Sequence, residues 1–178
     1  VAGKGKLNPV SYKAVKCATT SRSWRTPFPV AKIISGGQTG VDRAGLDFAI
    51  EHDIPHGGWC PAGRLAEDGA IESGYELKET PDVAYPQRTE WNVRDSDGTV
   101  IFTIAPALTG GSALTRGLAV EHGKPCLHLS KEREGGAAVS LLRQFINHHK
   151  IKTLNIAGPR LSTEPAARAF ASRVLEAL

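Results

Sequence analysis

The chain has 178 residues, 40% of them hydrophobic, which suits one domain around one continuous core and leaves two full domains cramped. No apolar run approaches the roughly 20 residues that cross a bilayer, and the N-terminus lacks the apolar centre of a secretory signal, so the reading is a soluble, cytoplasmic protein. The net charge of +4 is unevenly placed: residues 1–31 hold six of the 22 Lys and Arg and no acid, while the remainder carries 16 basic against 18 acidic residues. A near-neutral body lacks the clustered basic surface of a nucleic-acid binder. The arm over residues 1–31, rich in Ser, Thr, Lys and Pro, reads as disordered, and a transit-like leader shares the same composition.

From Lys32 the pattern becomes regular. Lys32 to Ser35 reads as a strand, Gly36-Gly37 as a tight turn, and a helix begins near Gly40, with Val41, Ala44 and Phe48 as its packing stripe. Pro55 stops it. The stretch to Thr80 is punctuated by Gly57, Gly58, Pro61, Gly63, Gly69 and Gly74, which predicts a short strand, a long loop, and a further strand over Tyr75 to Thr80. Helices are expected over Gln87 to Asp95, Ser112 to His122, Ala137 to His148 and Pro165 to Leu178. Strands are expected over Thr99 to Ile104, Pro125 to Leu129 and Thr153 to Ala157. The alternation predicts an α/β fold, a Rossmann-like three-layer sandwich with a mostly parallel sheet, as one ligand-binding domain over residues 32–178.

In such a sheet the strand-to-helix turns share the carboxyl edge, where ligands collect. Ser35-Gly36-Gly37-Gln38-Thr39-Gly40 has the spacing of a glycine-rich anion loop with Ser35 in its first position, and helix N-terminal amides then face the ligand. Thr39 is a candidate cap, Asp42 fits a variant capping box, and Arg43 is available to a phosphate. Glycines at such junctions also serve only for a positive φ, but a second turn, Thr109-Gly110-Gly111-Ser112, and a third, Gly158-Pro159-Arg160, repeat the arrangement. The second strand ends in Gly57-Gly58-Trp59-Cys60, without the acid that binds the ribose of NAD, so a dinucleotide is not expected. Trp59 is either core or a stacking surface for a flat heterocycle. Arg88 and Asn92, four apart on a polar helix, can share a face turned to the crevice and bind an oxyanion together.

Cys17, Cys60 and Cys126 form no CxxC pair, and none of the six His has the HExxH spacing. No metal held by protein side chains is expected, Cys60 reads as a buried inert thiol, and no catalytic residue is assigned.

The strings ISGGQTGVDRAGLDFAIEHDIPHGGWCPAGRLAEDG, QRTEWNVRDSDGTVIF, LTGGSALT and NIAGPR together resemble the molybdenum-cofactor carrier family, a likeness that runs from Lys32 nearly to the C-terminus. The resemblance implies a Rossmann-like homotetramer that binds the molybdopterin cofactor, shields it from oxidation and passes it to molybdoenzymes such as nitrate reductase. On that basis Gly36 to Gly40, Arg43, and Thr109 to Ser112 surround its anionic groups, Arg88 binds phosphate, and Trp59 and Asn92 contact the pterin. The same superfamily contains lysine-decarboxylase-like phosphoribohydrolases with the pattern PGGxGTxxE. Aligned on Gly110-Gly111, this chain has Thr109 for the Pro, Leu114 for the Thr and Gly117 for the Glu. A nucleotide hydrolase that recruits Glu90 or Asp95 as its acid, and a nucleotide-sensing domain, are the alternatives.

Overall fold

The computed structural model describes residues 28–178, so most of the basic arm lies outside the described residues. Five parallel strands form the central sheet: β1 (Lys32–Ile34), β2 (His56–Gly57), β7 (Gly98–Thr103), β8 (Cys126–Ser130) and β9 (Thr153–Ala157), in the order β2-β1-β9-β7-β8. The last strand is inserted between β1 and β7, with Leu154 beside Ile33, and Asn155 beside both Ile34 and Thr99. The chain leaves β1 towards one edge and β7 towards the other, which opens a crevice beyond the carboxyl ends of β1, β9 and β7.

The two faces of the sheet differ in chemistry. On one, Ile33, Val100, Phe102, Leu154 and Ile156 pack against α1 (Val41–Glu51), α5 (Ala138–His149) and α6 (Pro165–Glu176), through Val41, Phe48, Leu142, Ile146, Phe170 and Val174. Because side chains alternate along a strand, the residues between these point to the other face. There the buried polar groups Thr99, Thr103, His128 and Asn155 lie on the side of α3 (Gly110–Glu121), which neighbours α2 (Tyr85–Arg94). They pair with one another: Asn155 Nδ2 donates to Thr99 Oγ1 at 3.1 Å, and Thr103 Oγ1 lies 2.7 Å from His128 Nε2. At the end of β1, Ser35 Oγ donates to the Ile156 carbonyl at 2.6 Å. Burial holds the His128 imidazole below its usual pKa, with the Arg133 charge acting the same way.

The glycine-rich stretch is more ordered than its composition predicts. The short pairs β3 (Trp59–Cys60) with β6 (Lys78–Glu79), and β4 (Leu65–Ala66) with β5 (Gly69–Ala70), fold over a small cluster of Leu46, Cys60, Ile71 and Leu77. Arg64 organises it by donating to the carbonyls of Ile71, Glu72, Tyr75 and Leu77, an arrangement with no periodic sequence signal. Cys60 is fully buried there and burial pushes its thiol up, which keeps it protonated and unreactive. The short helix α4 (Lys131–Glu134) is also absent from the sequence reading. The folded body reaches back beyond residue 32: Val30 is buried in the core and the Phe28 ring packs 5.1 Å from that of Phe48.

Candidate functional site

The first glycine turn is organised by Asp42. Its Oδ2 accepts the Gln38 N–H at 3.3 Å and the Arg88 Nη1–H at 2.8 Å, and the Gly36 amide also donates to this carboxylate. Burial pushes the Asp42 carboxyl up, while Arg88 and the two backbone amides pull the other way. The capping-box reading of Asp42 is thus half right: it reaches back to backbone amides, and it also fixes a guanidinium that arrives from α2. Gly36 lets that guanidinium approach the turn closely, since a Cβ there would fall 1.5 Å from Arg88 Nη1. Gly40 has φ 83° and sits so close to the third turn that a Cβ would meet the Pro159 carbonyl at 2.6 Å. At Gly36 and Gly40 the first turn is packed against protein.

The second turn is different. Thr109 enters α3 in an extended conformation, and Gly110 and Gly111 form the first helical turn, whose amides have no acceptor within the helix. Nothing lies within 4 Å of where a Cβ would stand on either glycine. These residues wall a cleft of about 340 Å³ whose other walls come from Gln38, Arg88, Thr103, Ser112, Gly158, Arg160 and Glu164. Arg88 and Gly111 continue into a smaller recess of about 50 Å³ floored by Asp42, Asn155 and Thr115. Two cations therefore border the cleft, and both lie against Tyr85: Arg88 Cζ is 5.7 Å and Arg160 Cζ 5.6 Å from the ring centroid. With the helix dipole of α3 they favour an anion. The Glu164 carboxylate is engaged, accepting the Ile104 N–H at 2.7 Å. Two buried donors at the junction of the turns, Gln38 Nε2 and Arg88 Nε, have no partner among the described residues. The Gln38 amide is fixed in this sense because its Oε1 already accepts the Thr39 and Glu67 N–H groups.

A larger cavity of about 500 Å³ lies at the opposite edge of the sheet, between Phe28, Phe48, Pro55 and Leu178. It borders the start of the described residues and shares none of the turns, so the carboxyl-edge cleft is the candidate site.

Of the residues singled out from sequence, Arg88, Gln38, Thr109, Gly110, Gly111 and Ser112 meet at this cleft, and Gly36 lines the recess. Four others have their side chains committed to other protein groups. Arg43 does not face the cleft: its guanidinium is held bidentately by Asp68 at 2.6 and 2.8 Å and its Nε donates to the Gly37 carbonyl. Thr39 does not cap α1, whose N-cap is Gly40; its hydroxyl donates to Glu67 and accepts the Leu161 N–H. Asn92 borders the recess, but its amide is spent in a two-way pairing with the Trp59 backbone, at 2.8 and 2.9 Å. Trp59 itself lies outside the cleft, edge-on to Trp91 at 4.6 Å, with its indole N–H donated to Asp95 at 2.7 Å. No sequence pattern joins Arg160 and Tyr85 to Arg88, although Arg160 stands in the third glycine turn. Glu67 likewise has no sequence signal: burial alone would raise its carboxyl, but hydrogen bonds from Ser162 and Thr39 outweigh that and hold it below its usual pKa. It ties the first turn to the third.

The fold defines a Rossmann-like domain, with a cleft bordered by Arg88 and Arg160 at its topological switch point. The model of the "Circularly permutated YpsA SLOG family" matches residues 33–178, and the chain belongs to that family. No curated protein matches it. A crystal structure named as that of a "Putative molybdenum carrier protein" from Syntrophus aciditrophicus SB is 50% identical, covers 83% of this chain and 94% of its own, and superposes with a TM-score of 0.81. No helix among the described residues is long and apolar enough to cross a membrane.

Proposed function

We propose that this protein binds molybdenum cofactor at the carboxyl-edge cleft, shields it, and delivers it to molybdoenzymes such as nitrate reductase, as a non-catalytic carrier working in the cytoplasm and assembled as a homotetramer. The observation that carries the reading is the donor set: Arg88, Arg160 and the free first-turn amides of α3 surround an open volume beside Gly110 and Gly111. Such a set suits the acceptor-only phosphate of a molybdopterin. The cofactor's own dithiolene binds the metal, so the cargo needs no ligand from protein side chains. The likeness to a protein named as a molybdenum carrier supports the same ligand class.

The geometry gives less support to nucleotide cleavage. Glu90 faces His122 at 3.3 Å, and Asp95 is bound by Arg94 and Trp59; neither lines the cleft. Anaerobic incubation with molybdenum cofactor, gel filtration, and transfer of the bound fraction to cofactor-free nitrate reductase tests the proposal. Co-elution with restored activity is expected; no retention, with nucleoside monophosphates bound or cleaved instead, would refute it.

A further inference from the structure

We propose that the outward face of α3 is the contact surface for a second copy of this chain, with the two α3 helices lying parallel about a twofold axis. This rests on the assembly part of the proposed function and assigns it a surface. α3 buries Ser112, Thr115 and Ala119 against its own domain. On the opposite face Gly110, Ala113, Gly117 and Val120 follow one another at spacings of three, four and three, the seam of a heptad pattern, with Leu114 beside them. Val120 is 74% exposed and Leu114 39%. One exposed aliphatic residue is ordinary, but here every position of the seam is apolar or small. Nothing lies within 4 Å of a Cβ placed on Gly110 or Gly117, so another helix can come close.

Charge selects the occupant and its direction. Arg116 and Glu121, both exposed, flank the seam on opposite sides, and neither makes an ion pair among the described residues. Five apart, they hold the two flanking heptad positions that face each other across a parallel pair. Arg116 of one copy then meets the partner's Glu121, and symmetry repeats the pair. An antiparallel pair would instead set like charges along each flank. Gly110 belongs both to this seam and to the cleft wall, so a partner on this face reaches the rim of the site.

Sedimentation equilibrium of the full chain tests the assignment. The wild type is expected to be a dimer or a multiple of one. Val120→Lys, Arg116→Glu and Glu121→Arg should each raise the dimer Kd at least tenfold with unchanged far-UV circular dichroism, and Arg116→Glu combined with Glu121→Arg should restore association. Should Val120→Lys misfold, the two exposed charge reversals and their rescue still decide the matter. An oligomer indifferent to all four variants would overturn the α3 assignment and leave homo-oligomerisation standing. A monomeric wild type would overturn both, while cofactor retention is read separately.

Discussion

Two glycine turns that look alike in sequence are used in opposite ways. Around Gly36 to Gly40 the missing side chains make room for protein: the Arg88 guanidinium occupies the space over Gly36 and the Pro159 carbonyl the space beside Gly40. Around Gly110 and Gly111 they leave the space empty, at the mouth of a cleft bordered by Arg88 and Arg160. A glycine motif at a strand-to-helix junction therefore does not by itself say what the glycine approaches. In this fold the first turn builds the platform and the second leaves a cleft open beside it.

Substitutions should separate the two. Gly40→Ala should be the most disruptive, costing about 3 to 4 kcal/mol in urea denaturation, because it adds left-handed strain to a clash with backbone that cannot retreat. Arg88→Met strikes both regions. It leaves the buried Asp42 carboxyl without its partner, a loss of about 3 kcal/mol at neutral pH, and removes a cleft cation, so anion affinity should also fall. The stability penalty should shrink on acidification. Burial already raises the Asp42 pKa, and without Arg88 it rises further above the unfolded value. The protonated form is then fully tolerated below the unfolded pKa, and the penalty grows as pH climbs through the folded pKa. A penalty independent of pH would mean that the pair does not hold the turn as described.

Gly111→Ala sharpens the comparison most: its fold stability should be unchanged or raised by about 0.5 kcal/mol, while cofactor retention drops about tenfold, or ~1.4 kcal/mol. The smallest effect belongs to the polar face beneath the cleft. His128 is held neutral by burial, so its contribution is present above the unfolded pKa of about 6.5 and is lost as pH falls through the lowered folded value. Urea melts at pH 7 and pH 5 should show a difference that diminishes in His128→Asn.

The fold was largely readable because hydrophobic period and glycine punctuation are local. The strand expected over Thr153 to Ala157 has those bounds in the structure, and α2, expected from Gln87, starts two residues earlier at Tyr85. The insertion of β9 between β1 and β7 is a long-range pairing that no window of sequence reports. The site was readable in part for the same reason. Arg88 and the second turn lie where their local patterns place them, but what consumes a side chain is decided at a distance: Asp68 takes Arg43, 25 residues away, and the Trp59 backbone takes the Asn92 amide, 33 away. Arg160 joins Arg88 only because the third turn folds onto Tyr85.

The most direct test is anaerobic titration of purified wild type and Gly111→Ala with molybdenum cofactor, each followed by gel filtration and a melting curve. The account predicts that the wild type retains the cofactor, and that the variant melts at the same temperature or slightly higher yet retains about a tenth as much at limiting concentration. Equal retention by both proteins, or none by the wild type, would contradict it.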